Sequence, residues 1–291
     1  MFIKLIKVCM YLFFCCSVAQ AQEKKEYVIG LTEQGIRGAT IQDVELGFNY
    51  QLENLTKNKK YSMKLKVFKA DEQLINMFLD AKLFGYFGTP LLALKYPKEF
   101  NLDSLFVPVL NDKVLQRYVV LVRKDSNINR LDDLKNKAIS YCISDELGLI
   151  FLQRQLKQLK FGNIDSFFSK VTVKKNPNVA ISTTFFKESQ ATIVLEADFI
   201  VASELNPQLK AQLISIETSP EYVINILAVS NKSDTTMPID EYEDTVLSIG
   251  GTVQSKKLLK KFNFGRLRKI KNEDLNSVRA LVSDLNGPDT K

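Results

Sequence analysis

The sequence RYVVLVRKDSNINRLDDLKNKAISYCISDELG, residues 117–148, decides the fold. It begins with an apolar strand at 118–122 and continues through a polar turn and a short helix to a second strand at 138–141. A further turn starts an amphipathic helix at 145–160, whose leucines recur at three- and four-residue spacing. Alternating strands and helices are typical of α/β proteins with parallel sheets, which bind ligands where strand ends meet helix starts. The stretch therefore predicts an α/β fold with a binding site near residues 144–148.

The same alternation continues on both sides of this stretch. Apolar or alternating runs predict strands at 27–31, 63–67, 191–195 and 222–229. Amphipathic runs predict helices at 46–55, from Asp71, from Asn176, and at 240–249, 254–261 and 272–285. Asp71 is predicted to cap its helix. Thr89 and Pro90 predict another helix start, whose free backbone N–H groups would suit an anion.

The first 21 residues have the pattern of a cleavable secretory signal. Lys4 and Lys7 precede an apolar run at 8–18, and residues 19–21 form a small-residue cleavage site. The mature chain is therefore expected to begin at Gln22 and to be exported to the periplasm.

The cysteines give little support for disulfides or for a lipid anchor. Cys9, Cys15 and Cys16 lie in the leader, which leaves Cys142 alone and predicts a buried thiol without an internal disulfide. Acylation at Cys15 or Cys16 is an alternative to simple cleavage. It is less favoured because Phe14 stands where a small residue is wanted.

Composition excludes several classes of function. The 291-residue chain contains no histidine, which argues against Ser-His-Asp and Cys-His catalysis and most zinc sites. The formal charge of +7 falls to +5 without the two leader lysines, which weakly fits an anionic ligand or membrane surface. Nucleic acid is not expected, because the chain is predicted to be exported and its lysines are not interleaved with aromatic residues. No nucleotide-binding motif is present, so neither a cofactor nor catalysis is predicted.

Residues 122–137, VRKDSNINRLDDLKNK, resemble the lobe-entry segment of the phosphonate-binding branch of periplasmic solute-binding proteins. The resemblance continues at 87–90, 205–209, 218–220 and 272–285. It implies the type II periplasmic-binding-protein fold, in which two α/β lobes, each a mostly parallel sheet flanked by helices, hold a ligand in the cleft between them. It also implies a monomer that closes by hinge motion and delivers a small molecule to the permease of an ABC transporter or to a membrane sensor.

The resemblance also sets the expected domain boundaries. After the signal peptide at 1–21, lobe one is expected at 22–117 and lobe two at 118–230. The C-terminal helices within 231–291 are expected to close back on lobe one.

This chain departs from the family where the family binds its ligand. The family's hydroxyl-rich turn is replaced by Asp145-Glu146-Leu147-Gly148, whose carboxylates would repel an oxyanion. The favoured interpretation is structural, because acidic residues in a first helical turn interact well with the helix dipole. Asn178 stands where relatives often have histidine, Ala191 where they often have aspartate, and Leu83 where they usually have an acidic residue.

The residues expected to face the cleft come from strand ends, helix starts and the crossing between lobes. They are Thr32, Phe87, Gly88, Thr89, Arg117, Tyr118, Glu146, Gly148, Asn178 and Glu196. For Glu196 a ligand role and a solvated position are equally favoured. If Glu146 and Glu196 both face the cleft, a cationic or zwitterionic ligand is more plausible than phosphate.

Three functions therefore stay open. The favoured one is an extracytoplasmic binding protein that captures a phosphonate-like, phosphate-like or zwitterionic ligand for an ABC transporter. The alternative is an envelope module that senses a ligand or binds a partner without transport. An enzyme on the same fold is less favoured and would need a pair of carboxylates or a metal site in the cleft.

Overall fold

The computed structural model describes residues 24–36, 39–109, 113–232, 237–261 and 265–283. The predicted signal peptide, its cleavage site and the alternative acylation sites lie outside these residues. Within the described ranges, no helix combines the length and the apolar character that crossing a membrane requires.

The described residues form eleven strands, listed here in order. They are β1 Lys25–Thr32, β2 Tyr61–Phe68, β3 Gly85–Gly88, β4 Phe100–Pro108, β5 Tyr118–Arg123, β6 Ala138–Cys142, β7 Lys170–Lys174, β8 Ala191–Leu195, β9 Leu213–Thr218, β10 Ile226–Ser230 and β11 Leu267–Ile270.

The α-helices are numbered in the same way over the described residues. They are α1 Ile41–Thr56, α2 Asp71–Leu79, α3 Leu91–Lys95, α4 Glu146–Gln158, α5 Ile164–Phe167, α6 Pro177–Phe185, α7 Glu196–Leu205, α8 Pro207–Gln212, α9 Ile239–Leu247, α10 Val253–Lys261 and α11 Asn276–Ser283. Short 3-10 helices occur at Glu33–Ile36, Pro97–Glu99, Lys124–Ser126, Leu131–Leu134 and Asn272–Leu275.

Lobe one is built on a six-stranded sheet in the order β11-β4-β10-β3-β1-β2. Strands β1 to β4 run in one direction, and β10 and β11 run in the other. Alternation along β1 buries Tyr27, Ile29 and Leu31 in the core of this lobe. The helices α1, α2 and α9 pack on strands of this sheet, and α10 packs on α1. The carboxyl ends of β1 and β3 lie beside residues of the second lobe.

Lobe two is built on a five-stranded sheet in the order β7-β6-β8-β5-β9. Only β5 runs against the other four strands. The apolar run of β8 is buried over all five residues, as expected for a central strand. The predicted two-lobed α/β fold is confirmed, but the sheets are mixed rather than mostly parallel: among the described strand pairs, four are parallel and five are antiparallel.

Two crossing segments join the lobes, and their position corrects one predicted boundary. The segments pair at Gln116 and Tyr222, whose backbone N–H groups donate to each other's carbonyls at 2.9 and 2.7 Å. The prediction assigned residues 118–230 to lobe two. Strand β10 instead pairs with β3 and β4 of lobe one, so lobe two ends before Ile226.

The C-terminal helices divide between the lobes, which corrects a second expectation. Tyr242 and Val246 of α9 belong to the core of lobe one. In contrast, Val278 and Leu281 of α11 are fully buried in the core of lobe two, where α11 packs against α4. The apolar face of α11 therefore closes on lobe two, and only the helices before it close on lobe one.

Candidate ligand-binding cleft

A cleft of about 200 Å³ lies between the two lobes. Its walls come from the carboxyl ends of β1, β2 and β3 in lobe one and from the turn after β6 in lobe two. The second crossing segment, which contains Tyr222 and returns the chain to lobe one (the return crossing), completes the walls. The lining residues are Thr32, Gly35, Asp71, Leu74, Ile75, Tyr86, Gly88, Thr89, Leu91, Leu92, Lys95, Ile143, Ser144, Glu146 and Asn225. Carboxyl ends of parallel strands from both lobes therefore converge on one site.

Asp71 is the acidic group that lobe one contributes to this cleft. It is the first residue of α2, while the N-cap is Ala70, so the predicted capping role of Asp71 is wrong. Its Oδ1 atom is out of solvent and has no hydrogen-bond partner among the described residues. Burial raises the pKa of Asp71, and a hydrogen bond from the Thr32 side chain partly opposes this effect. Asp71 therefore lines the cleft and has a buried carboxylate oxygen whose hydrogen bonding is unsatisfied.

Glu146 is the acidic group that lobe two contributes, directly after β6 at the start of α4. Its side chain is open to the cleft, but the protein on both sides of the cleft reduces its contact with bulk water. Burial raises the pKa of Glu146, and the negative charge of Asp71 raises it further. Asp71 and Glu146 thus line the same cleft from opposite lobes, and a cation bound between them would reduce the repulsion of their negative charges.

The remaining polar groups of the cleft are mostly donors. Burial raises the pKa of Tyr86 well above its ordinary value. The negative charges of Glu146 and Asp71 raise it further, while the hydrogen bonding to Thr89 lowers it in part. The Tyr86 hydroxyl therefore stays protonated and donates to the Thr89 carbonyl at 3.1 Å. Lys95, at the end of α3, is the cation among the lining residues. The cleft consequently holds two carboxylates against one ammonium group.

The facing carboxylates predict a pH-dependent stability of the ligand-free protein. A carboxyl group whose pKa is higher in the folded protein than in the unfolded chain stabilises the fold at low pH. That stabilisation is lost as the pH rises through the folded pKa. The double variant Asp71→Asn/Glu146→Gln should therefore melt about 2 °C higher than the parent at neutral pH. Thermal unfolding followed from about pH 7.5 to about pH 4.5 should show the difference shrinking as both carboxyls of the parent protonate. A difference that stays constant over this range would contradict the prediction.

Four of the ten predicted residues line the cleft. Thr32, Gly88 and Thr89 do so from lobe one and Glu146 from lobe two. The predicted helix start at Thr89 is shifted by one residue, because Pro90 is the N-cap and its side chain makes no capping bond. The helix that follows, α3, has only five residues, so it offers a weak dipole to an anion.

Three predicted residues serve packing instead. Phe87 is half-buried against the core of lobe one, on the face of β3 opposite Tyr86. Tyr118 is 1% exposed in the core of lobe two. A Cβ atom on Gly148 would lie 2.6 Å from the Tyr118 ring, so Gly148 is there to let the helix approach that ring.

The last three predicted residues lie outside the cleft. Arg117 pairs with Glu221 of the return crossing at 2.7 Å and approaches Glu196 at 3.9 Å, in a separate shallow pocket beside the crossings. Glu196 therefore does not complete an acidic pair with Glu146. Asn178 is exposed, and its backbone N–H donates to the side chain of Asn176, the N-cap of α6.

The residues expected to face the cleft do not include five of its polar residues, namely Asp71, Tyr86, Lys95, Ser144 and Asn225, although Ser144 lies in the stretch 144–148 where a binding site is expected. Period-two alternation in β3 could have indicated Tyr86, because Tyr86 and Gly88 share a face that Phe87 does not. Lys95 and Asn225 have no local signal, since each reaches the cleft only through the packing of the lobes.

One ion pair bridges the lobes beside the cleft. Lys175, just after β7, places its Nζ atom 3.4 Å from Oε1 of Glu33, just after β1. The pair is exposed, and such pairs contribute about 0.2–1 kcal/mol. Because it forms only when the lobes approach, it should slow ligand release.

Glu33→Gln is therefore expected to increase the ligand dissociation rate by about two- to fivefold in stopped-flow measurements. The charge swap Glu33→Lys/Lys175→Glu should restore the parent rate. Failure of the swap to restore it would show that the two charges do not interact in the closed form.

The fold and the cleft together are those of a two-lobed binding protein whose candidate ligand site lies between its lobes. Residues 43–275 match the family model described as "ABC transporter, phosphonate, periplasmic substrate-binding protein". The chain belongs to this family, whose members are periplasmic substrate-binding components of ABC transporters.

Solved structures support the same fold at low sequence identity. PhnD1 from Prochlorococcus marinus (MIT 9301), in complex with methylphosphonate, is 16% identical with a TM-score of 0.69, over 91% of this chain and 99% of that one. A binding protein component of an ABC phosphonate transporter from Pseudomonas aeruginosa is 13% identical with a TM-score of 0.68, over 92% and 90%. A Xanthomonas citri protein bound to ATP is 10% identical with a TM-score of 0.65, over 90% and 98%. A comparison with curated protein sequences gives no match.

Proposed function

We propose that this protein is exported to the periplasm and captures a small zwitterion for an ABC importer. The ligand carries a primary amine at one end and a phosphonate or similar anion at the other. The observation that carries the proposal is the pair of carboxylates, Asp71 from lobe one and Glu146 from lobe two, that face each other across the cleft.

The amine end fits between the two carboxylates. An ammonium group has three donors, and Asp71 Oδ1 is a buried acceptor with no partner among the described residues. Because one carboxylate belongs to each lobe, a bound ammonium group would remove the repulsion between them as the lobes close. Ligand binding and closure are therefore coupled by charge.

The anionic end fits the donors on the rest of the cleft wall. Lys95 supplies an ammonium group, and the hydroxyls of Thr89 and Ser144 and the amide of Asn225 supply neutral donors. A phosphonate without an amine would gain these contacts but would leave Asp71 and Glu146 unneutralised. The acidic pair therefore selects against a simple anion.

The volume of the cleft sets an upper limit on the ligand. At about 200 Å³ the cleft is smaller than the ~300–1,000 Å³ typical of pockets for drug-sized molecules. The methylphosphonate in the Prochlorococcus structure is likewise much smaller than a drug-sized molecule. An aminoalkylphosphonate of two or three carbons combines this size with the charges of the cleft.

A thermal-shift screen of the mature chain from Gln22 tests the proposal. The panel contains phosphate, methylphosphonate, aminoalkylphosphonates, sulfonates, amino acids and polyamines. A ligand at about one hundred times its dissociation constant adds roughly 2.7 kcal/mol of stability. We expect a shift with aminoalkylphosphonates and little or none with methylphosphonate. An equal shift with methylphosphonate would overturn the zwitterion assignment, and no shift with any compound would favour the sensing or partner-binding alternative.

The carboxylate pair also makes a direct test for catalysis worthwhile, because two carboxyls with raised pKa values are a common catalytic arrangement. We propose that the cleft binds its ligand without converting it, as expected for a transporter component. The stabilising compound from the screen should be recovered unchanged after incubation with the protein, as followed by phosphorus NMR. Loss of its signal in proportion to protein concentration would identify an enzyme instead.

A further inference from the structure

We infer a second interaction surface at the end of lobe one that is remote from the cleft. An open groove of about 650 Å³ lies there, lined by Lys25, Tyr27, Asn58, Lys59, Lys60, Tyr61, Met237, Pro238 and Glu241. The inference is that this groove and its lysines, the basic groove, dock the protein on anionic lipid headgroups of a membrane surface.

The sequence concentrates lysine at this end of the sheet. Two short segments, KKEY at 24–27 and KNKKY at 57–61, carry five lysines, and each segment leads into a strand. The register of β1 and β2 pairs Lys25 with Tyr61, so both segments lie at the amino ends of neighbouring strands. Neither segment has a role in the cleft.

Local contacts hold these lysines together. Lys24 donates through Nζ to the carbonyls of Thr56 and Lys57 at 3.0 and 2.6 Å, which balances the negative end of α1 and fixes the two segments side by side. Lys25 lies 5.4 Å from the Tyr27 ring centroid, and the Tyr27 and Tyr61 rings pack edge to face. The Tyr27 and Tyr61 side chains form the floor of the groove and are each 5% exposed, so the part of the groove that meets solvent consists mainly of lysine ammonium groups.

The charge of the basic groove is only partly balanced. Its lining residues include three lysines and one acid, Glu241, which lies 3.9 Å from Lys59; the Lys60 side chain is exposed. The neighbouring Glu26 and Asp240 reduce the net charge without entering the groove. Lysines on flexible stems around a wide opening suit a plane of many phosphates better than one small anion, which needs convergent donors.

The position of the basic groove is compatible with ligand binding. β1 has eight residues, so its amino end lies about 23 Å from Thr32 at the cleft. Docking here would therefore leave the cleft open to solvent.

Vesicle co-sedimentation of the mature chain tests the inference. The probes are phosphatidylcholine vesicles with and without phosphatidylglycerol, at low and high salt. The variant Lys25→Gln/Lys59→Gln/Lys60→Gln is compared with Lys135→Gln/Lys137→Gln/Lys170→Gln, in which three exposed lysines clustered on lobe two are neutralised. Both variants change the net charge equally.

We expect binding only to the vesicles that contain phosphatidylglycerol, weakening with salt, and about a tenfold or greater loss in the groove variant alone. Equal losses in the two variants would overturn the inference, because attraction would then follow net charge rather than this surface. Binding to soluble polyglutamate without binding to vesicles would also overturn it and would indicate an acidic protein partner. An unchanged melting temperature in both variants would confirm that folding is intact.

Discussion

Replacing Asp71 with asparagine is expected to weaken binding of an aminoalkylphosphonate by about 10- to 150-fold, the range for losing a hydrogen bond to a charged group. Asparagine keeps the size of the side chain and one oxygen acceptor but loses the charge that would hold the ammonium group. Glu146 would then be the remaining carboxylate at this end of the cleft. Isothermal titration calorimetry of the parent and Asp71→Asn with the same ligand measures the difference.

Glu72→Gln is the matched control for this variant. Glu72 is the next residue in the first turn of α2, but its side chain is exposed and does not line the cleft. Its neutralisation should change affinity by less than about twofold. Methylphosphonate supplies a second control, because it lacks the amine and should bind Asp71→Asn at least as well as it binds the parent. An equal loss of affinity for both ligands would show that Asp71 shapes the cleft without contacting an amine.

Much of the fold could be predicted from the sequence because its strands carry strong local patterns. The strand expected at 191–195 is β8, and the strands expected at 118–122 and 138–141 each extend one residue further, to Arg123 and Cys142. The missed boundary has a physical reason. Residues 222–229 are apolar except for Asn225, and Tyr222, Val223 and Ile224 are buried in the crossing just as β10 is buried in the sheet. One polar residue inside an apolar run does not by itself distinguish a buried crossing from a buried strand.

The cleft could be predicted less well, because the same local pattern serves different roles. Asp71, Glu146 and Glu196 each begin a helix directly after a strand or its turn, where the helix dipole favours a carboxylate. Only tertiary packing brings the first two together in the cleft and leaves the third beside the crossings. The resemblance directed attention to Glu146 but not to Asp71. The sequence can therefore indicate which acidic residues begin helices, but only the arrangement of the lobes determines which of these residues lie in the same cleft.

Gly148 illustrates the opposite error, because it is expected to contact the ligand but serves packing instead. Its substitution is expected to produce the largest change in stability. A Cβ atom there would lie 2.6 Å from Cδ1 of Tyr118 and 3.0 Å from two further ring carbons. Tyr118 lies in the core of lobe two and cannot move aside without displacing its neighbours. Gly148→Val is expected to destabilise the protein by about 3 kcal/mol, because three added carbons overpack this contact. The melting temperature should fall by ~6–12 °C, measured by calorimetry.

Gln158→Val is the control, since it introduces the same β-branched side chain at the exposed end of α4. It should cost less than about 1 kcal/mol, which is the helix-propensity part of the change. A ligand-binding role and a packing role for Gly148 predict opposite results for Gly148→Val. If its backbone contacted the ligand, Gly148→Val would weaken binding and leave the melting temperature of the ligand-free protein near that of the parent. Because Gly148 is buried against Tyr118 and does not line the cleft, we expect the reverse: a large loss of stability, and ligand affinity close to the parent value at temperatures where the variant is folded.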